Sequence, residues 1–323
     1  MNQMKEEKWN DCFIKTLYEK NPQKSQLMQA LSNLLHIERE AVYRRLRQDV
    51  AFTIQEIVKI SAAWNISLDR ITGIQSGKIP FYMQPVNYLE PSEQELIFLR
   101  EVIRSINLLK DCPDTEFRDI CNKLPRKLIA GFEQLNKFYL FSWMYKYGSG
   151  RYAVPFSQIN VSEEKIRLDA EYYSAIKNVP KSNILFDKNL FVYLANDIQY
   201  FHSIKMITGE EKERIKKDVF DFLNYLREVA RNGFYPETNQ KVNLYISQLY
   251  IDTNYSYVFT NQANICFVHV FDKFEIYTFE PDMVAKFREW MQLKQRSSVQ
   301  ISGVDEKSQI EFFEKQFQII DSI

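Results

Sequence analysis

The stretch from Leu31 to Leu46 constrains this chain most, because its apolar residues keep a helical period on both sides of one short interruption. Val42 and Leu46 stand one turn apart and predict the buried stripe of a second helix, while Leu35-His36-Ile37 predicts a short turn. Ser32 supplies a small side chain where two helices must approach each other. The pattern therefore predicts a helix, a tight turn and a second helix.

The outward face of the second helix carries the chemistry of this segment. At about 3.6 residues per turn, burial of Val42 and Leu46 turns the polar side chains outward, with Arg39 on the flank; these are Glu40, Tyr43, Arg44 and Arg47. Arginine can donate two hydrogen bonds to guanine or hold a phosphate, and tyrosine can bind a phosphate. Glutamate can accept from the cytosine amino group, or Glu40 can pair with Arg44 one turn on. We therefore predict a helix that enters the major groove of DNA; a plain helical bundle with a solvated arginine face is the alternative.

The residues that follow continue this pattern, and they read Phe52-Thr53-Ile54-Gln55-Glu56-Ile57-Val58-Lys59-Ile60-Ser61-Ala62-Ala63-Trp64-Asn65-Ile66-Ser67-Leu68-Asp69-Arg70-Ile71-Thr72-Gly73. Together with the preceding helices, they resemble the lambda-repressor and Cro-like (XRE-type) helix-turn-helix domain over residues 9–73. The resemblance implies a five-helix bundle whose recognition helix spans Glu38–Arg47. It also implies that Lys24 to Gln29, at the start of the preceding helix, lie near the DNA backbone. The DNA-binding residues expected from the outward face and the resemblance are Lys24, Gln29, Arg39, Glu40, Tyr43, Arg44 and Arg47.

Two positions depart from the family pattern. His36 stands where the turn is usually glycine, so it must adopt a left-handed conformation or the turn must differ. Arg45 stands where the recognition helix usually carries an aliphatic residue. We expect its stem to lie over the core and its guanidinium to contact a phosphate.

The remainder of the chain predicts a mainly α protein with an α+β C-terminal part. Residues 74–90 mix glycine, proline and polar residues and predict a linker, so the first domain is placed at 1–80. Residues 81–240 predict a helical middle region, with helices near 114–124, 126–147, 162–178, 188–207 and 210–232 and capping boxes at Ser92 and Thr208. Alternating apolar residues from Lys241 predict a small antiparallel sheet with helices over 241–323.

Composition excludes several functional classes. The chain carries 42 basic and 42 acidic residues, and the first eighty residues hold twelve basic against nine acidic ones, so charge alone gives little attraction to nucleic acid. Eight glycines form no phosphate-binding loop, and the three histidines and four cysteines show no metal-ligand spacing, so we expect no cofactor, no metal and no enzyme activity. Scattered cysteines and the absence of long apolar runs predict a cytoplasmic protein without a membrane span.

The sequence thus predicts a DNA-binding transcriptional regulator. Its expected partners are double-stranded DNA, a second copy of the chain in a homodimer, and an unknown small-molecule or protein effector. The C-terminal part is assigned dimerisation or signal sensing. Two alternatives stay open: a protein-interaction or scaffold protein, and an enzyme domain fused to a DNA-targeting module.

Overall fold

A computed structural model describes residues 3–64, 66–72, 79–83, 91–147, 154–260, 264–270, 274–303 and 305–323. The chain forms two compact units, an N-terminal unit, Met1–Pro80, and a C-terminal unit, Phe81–Ile323. Most of the linker predicted over residues 74–90 lies outside the described residues.

The described part of the N-terminal unit contains five helices, α1 (Gln3–Lys20), α2 (Lys24–Leu35), α3 (Arg39–Leu46), α4 (Ile54–Trp64) and α5 (Leu68–Thr72). Their apolar faces meet in one core, in which Leu17, Leu27, Leu31, Val42 and Ile60 are fully buried. At about 1.5–3 kcal/mol for each large side chain removed from water, this core holds short helices that would be marginal in isolation.

The C-terminal unit combines helices with one mixed sheet. Its helices are α6 (Glu93–Leu109), α7 (Arg126–Ile129), α8 (Glu133–Tyr147), α9 (Glu163–Lys177), α10 (Leu190–Ser203), α11 (Gly209–Asn232), α12 (Pro281–Arg296) and α13 (Glu306–Asp321). Its strands are β1 (Tyr82–Met83), β2 (Glu116–Cys121), β3 (Lys181–Asp187), β4 (Lys241–Ser247), β5 (Tyr255–Phe259), β6 (Asn264–Val270), β7 (Phe274–Thr278) and β8 (Ser298–Gln300). Capping boxes open α6 at Ser92 and α11 at Thr208, which confirms both predictions.

The strands lie in the order β1-β7-β6-β5-β2-β3-β4-β8. The three central strands β2, β3 and β4 are parallel, and the remaining pairs are antiparallel. Parallel neighbours need long connections, which α7 to α9 and α10 to α11 provide. Alternation along β3 sends Ile184 and Phe186 into the core with α8, α10, α11 and α13, and Leu185 into the core with α12.

The structure corrects the sequence prediction for residues 81–240. Residues 116–121, predicted as part of a helix, form β2, and β3 was not predicted at all. Both strands pair with strands from beyond residue 240, so the sheet is mixed and no domain boundary falls at that position. The helix predicted over 126–147 is also divided into α7 and α8.

Candidate nucleic-acid interface

The turn between α2 and α3 is held by backbone conformation and one serine. His36 adopts the left-handed conformation, with φ 56° and ψ 44°, which is one of the two outcomes expected for a non-glycine residue there. Ser32 accepts the backbone N–H groups of His36 and Ile37 at its carbonyl oxygen, and its hydroxyl donates to the Ile37 carbonyl at 2.7 Å. The serine therefore fixes the angle at which α3 leaves the turn.

Helix α3 is oriented by its two apolar side chains. Val42 is fully buried and Leu46 is nearly so, both in the core that α2 and α4 share. The helix runs from Arg39 to Leu46, with Glu38 and Arg47 as its cap residues, so the predicted segment Glu38–Arg47 matches the helix together with its caps. Its polar side chains, apart from that of Arg45, consequently project away from the core.

Three of the predicted residues form a cluster around the Tyr43 ring. The Lys24 ammonium lies 4.8 Å from the ring centroid, and the Arg47 guanidinium carbon lies 5.5 Å from it. A hydrogen bond with Tyr43, together with the nearby Asp49 carboxylate, raises the pKa of Arg47 above its ordinary value. The contact with Asp49 is loose, at 3.7 Å between exposed side chains. Two cations thus flank one aromatic ring on the exposed side of the domain.

The beginning of α3 presents a second set of polar groups. Arg39 is exposed and donates to the Ser25 hydroxyl at 3.3 Å, which ties it to the first turn of α2. Ser25 was not singled out in the sequence, although its place beside Lys24 at the start of α2 was the available signal. Glu40 and Arg44 are both exposed, and no ion pair joins them among the described residues, so the alternative pairing of Glu40 with Arg44 is wrong.

Arg44 and Gln29 belong to neither of these two sets of contacts. Within the part of the chain that is described, no hydrogen bond or ion pair engages the Arg44 side chain. Gln29 is exposed on α2 and donates to Asn33 at 2.8 Å. Five residues along a helix correspond to about 140° of rotation, so Gln29 points away from Lys24 and does not join the Tyr43 cluster.

Arg45 does not extend to a phosphate, and that expectation is corrected. Its guanidinium forms two contacts with Glu56 on α4, Nε to Oε2 at 3.0 Å and Nη2 to Oε1 at 2.8 Å, and it also donates to the Ala41 carbonyl. Glu56 closes a capping box with Thr53 as well. Arg45 is therefore a structural residue that joins α3 to α4.

Most of the charged side chains buried in the C-terminal unit form ion pairs. Lys127 donates to Asp119 at 2.6 Å, and Ser256 donates to the same carboxylate oxygen at 2.7 Å. Asp169 holds both Arg126 and Lys165. In the described residues, no group of three or more His, Cys, Asp or Glu side chains could hold a metal ion, and no helix is long and apolar enough to cross a membrane.

Comparisons of the chain with known protein families, with curated proteins and with solved structures give no match.

Proposed function

We propose that this chain is a sequence-specific double-stranded DNA-binding transcriptional regulator whose N-terminal unit binds the DNA. The observation that carries this proposal is the exposed face of α3, which presents Arg44, unpaired among the described residues, together with the Tyr43 cluster and Arg39. A short helix anchored by Val42 and Leu46, with cations along its solvent side, has the form that the major groove admits.

The residues divide into two roles on this proposal. Arg44 has an exposed guanidinium without a partner among the described residues and is the candidate for reading guanine. Glu40 is the candidate acceptor for a cytosine amino group. Lys24, Arg39 and Arg47 already contact neighbouring side chains, and they are the candidates for holding phosphates and fixing the register of the helix. The C-terminal unit is assigned dimerisation or signal sensing.

The proposal is tested by selecting bound sequences from a random duplex pool with the full-length protein. We expect a defined sequence to be enriched, and a palindromic sequence would indicate a symmetric dimer. Affinity for that sequence should fall with salt, by about 0.9 in log K per unit of log salt for each phosphate neutralised.

A matched pair of variants separates the α3 face from general charge. Changing Arg39, Arg44 and Arg47 together to alanine should abolish specific binding. Changing Lys15, Lys20 and Lys59, which are exposed cations of the same unit outside α3, removes the same charge and should leave specificity unchanged. If the first variant binds the selected duplex as the wild type does, the proposal is abandoned in favour of a protein-interaction role.

The two roles predict different single-variant behaviour. Arg44→Ala should cost about 1–3 kcal/mol on the selected sequence and relax the preference at one base pair. Lys24→Ala should weaken binding to all sequences alike and lower the salt slope by about one.

A further inference from the structure

An open groove in the C-terminal unit has a composition that suits a small ligand. It lies where the first turns of α12 cross the sheet near the start of β6 and the end of β7, and its volume is about 740 Å³. Tyr257, Phe279 and Val284 give it an apolar and aromatic lining. Its size lies within the range of about 300–1,000 Å³ that is usual for ligand sites.

Two charged side chains of opposite sign also line this groove. Arg288 and Glu289 are exposed neighbours on α12. Neither forms an ion pair with another described residue, and the Arg288 guanidinium carbon lies 4.9 Å from the centroid of the Phe259 ring. The groove thus presents a cation and an anion that no described side chain neutralises.

A third polar group in the groove has no partner among the described residues. The side-chain oxygen of Asn264, the first residue of β6, is buried and accepts no hydrogen bond from that part of the chain. A buried acceptor without a donor costs about 1–3 kcal/mol of stability, which a ligand that donates to it would recover.

We infer that this groove binds a free amino acid with a large apolar or aromatic side chain. A zwitterion carries a carboxylate and an ammonium group, which matches a groove lined by both an arginine and a glutamate. Arg288 would donate to the carboxylate, and Glu289 and Asn264 would accept from the ammonium group, which has three donors. The apolar side chain would pack against Tyr257, Phe279 and Val284.

This inference deepens the sensing role that the proposed function assigns to the C-terminal unit. Binding itself is measured on the full-length protein without DNA, so that its failure is distinguishable from failure of the DNA-binding proposal. L-phenylalanine and L-leucine are the probes, titrated by isothermal calorimetry. Phenylacetate lacks the ammonium group and phenethylamine lacks the carboxylate, so each should bind at least about tenfold more weakly than L-phenylalanine.

Two variants assign each charge to its residue. Arg288→Gln should weaken the binding of L-phenylalanine and of phenylacetate by at least about tenfold and leave the binding of phenethylamine unchanged. Glu289→Gln should weaken the binding of L-phenylalanine and of phenethylamine and leave the binding of phenylacetate unchanged. Lys286→Gln and Asp282→Asn remove exposed charges of α12 that do not line the groove, and both should bind L-phenylalanine as the wild type does.

The inference is overturned if neither amino acid gives saturable binding at millimolar concentrations. It is also overturned if binding occurs but Arg288→Gln and Glu289→Gln leave it unchanged, since the amino acid would then be bound elsewhere.

Discussion

Arg45 on α3 and Glu56 on α4 face each other with two parallel contacts of 3.0 and 2.8 Å, and both side chains are largely buried, at 16% and 13% exposure. Charge-assisted pairs of this fork geometry are stronger than neutral hydrogen bonds. The pair therefore fixes the angle between the helix proposed to bind DNA and the helix behind it.

Replacement of Arg45 tests this structural role. Arg45→Met keeps the aliphatic stem and removes the pair, and it should destabilise the N-terminal unit by about 1–3 kcal/mol. Hydrogen exchange of α3 and α4 in the full-length protein measures the change. Arg44→Ala is the control, since the loss of an exposed, unpaired side chain should alter stability by about 0.5 kcal/mol or less. Reduced DNA affinity with unchanged protection in Arg45→Met would instead make Arg45 a phosphate contact.

The same pair predicts acid sensitivity of the N-terminal unit. Burial alone would raise the pKa of Glu56, but hydrogen bonds from Arg45 and from the Thr53 backbone outweigh it and hold the pKa below its ordinary value. A lowered folded-state pKa gives stability that is present above about pH 4.3, the value in the unfolded chain, and is lost as pH falls through the folded value.

We therefore expect protection factors in α3 and α4, corrected for intrinsic exchange, to fall in that acid range. In Glu56→Gln, the protection factors of these two helices should be lower at neutral pH and should fall less on acidification. If the protection factors fall equally in the wild type and in Glu56→Gln, other carboxylates cause the acid sensitivity.

His36 makes a further prediction about the turn. Its φ of 56° is costly for a residue with a Cβ atom, and most costly for a β-branched residue. His36→Gly should therefore leave stability nearly unchanged or raise it by up to about 1 kcal/mol, since the gain in the folded state opposes the greater freedom of the unfolded chain. His36→Val should lower it by about 1–2 kcal/mol.

The measurement is again hydrogen exchange in α2 and α3. If His36→Val and His36→Gly are equally stable, the left-handed conformation is not required at this position.

The surroundings of α3 show which features can be predicted from the sequence and which cannot. Burial of Val42 and Leu46 could be predicted because the period of one helix decides which side chains point inward. The partner of Arg45 could not, because Glu56 belongs to a different helix and only packing brings the two together.

The missed strands have a related cause. In β2, the charged residues Glu116, Arg118 and Asp119 interrupt the apolar pattern that identifies a strand. The strand tolerates these charged residues because each forms an ion pair. Arg118 pairs with Glu116 of the same strand, and Asp119 pairs with Lys127 of α7. In β3, Asn183 bonds to Glu116 and to Asn243 across the parallel strands, and such contacts follow from a register that the sequence does not reveal.

The ion pairs of Asp169 predict that two variants lose different amounts of stability. It is nearly buried and compensates both Lys165 on its own helix and Arg126 on α7. Asp169→Asn leaves two cations without a carboxylate and should cost about 3–5 kcal/mol, the usual result of breaking a buried pair. Lys165→Met leaves Asp169 paired with Arg126 and should cost much less. Urea unfolding followed by near-ultraviolet circular dichroism compares them, and equal losses would contradict this arrangement.

Lys165 also predicts a pH dependence at the basic end. Burial, reinforced by the nearby Arg126 charge, lowers the pKa of Lys165 to about 8. Between about pH 8 and pH 10.4, the value of a free lysine, the unfolded chain then binds more protons at this position than the folded protein does, so this group adds stability as pH rises. The difference in unfolding free energy between wild type and Lys165→Met should therefore shift in favour of the wild type across that interval. Tyrosine and cysteine titrations are common to both proteins and cancel in the difference. A difference that stays constant from neutral pH to about pH 10 would show that Lys165 remains charged throughout, with the Asp169 carboxylate outweighing its burial.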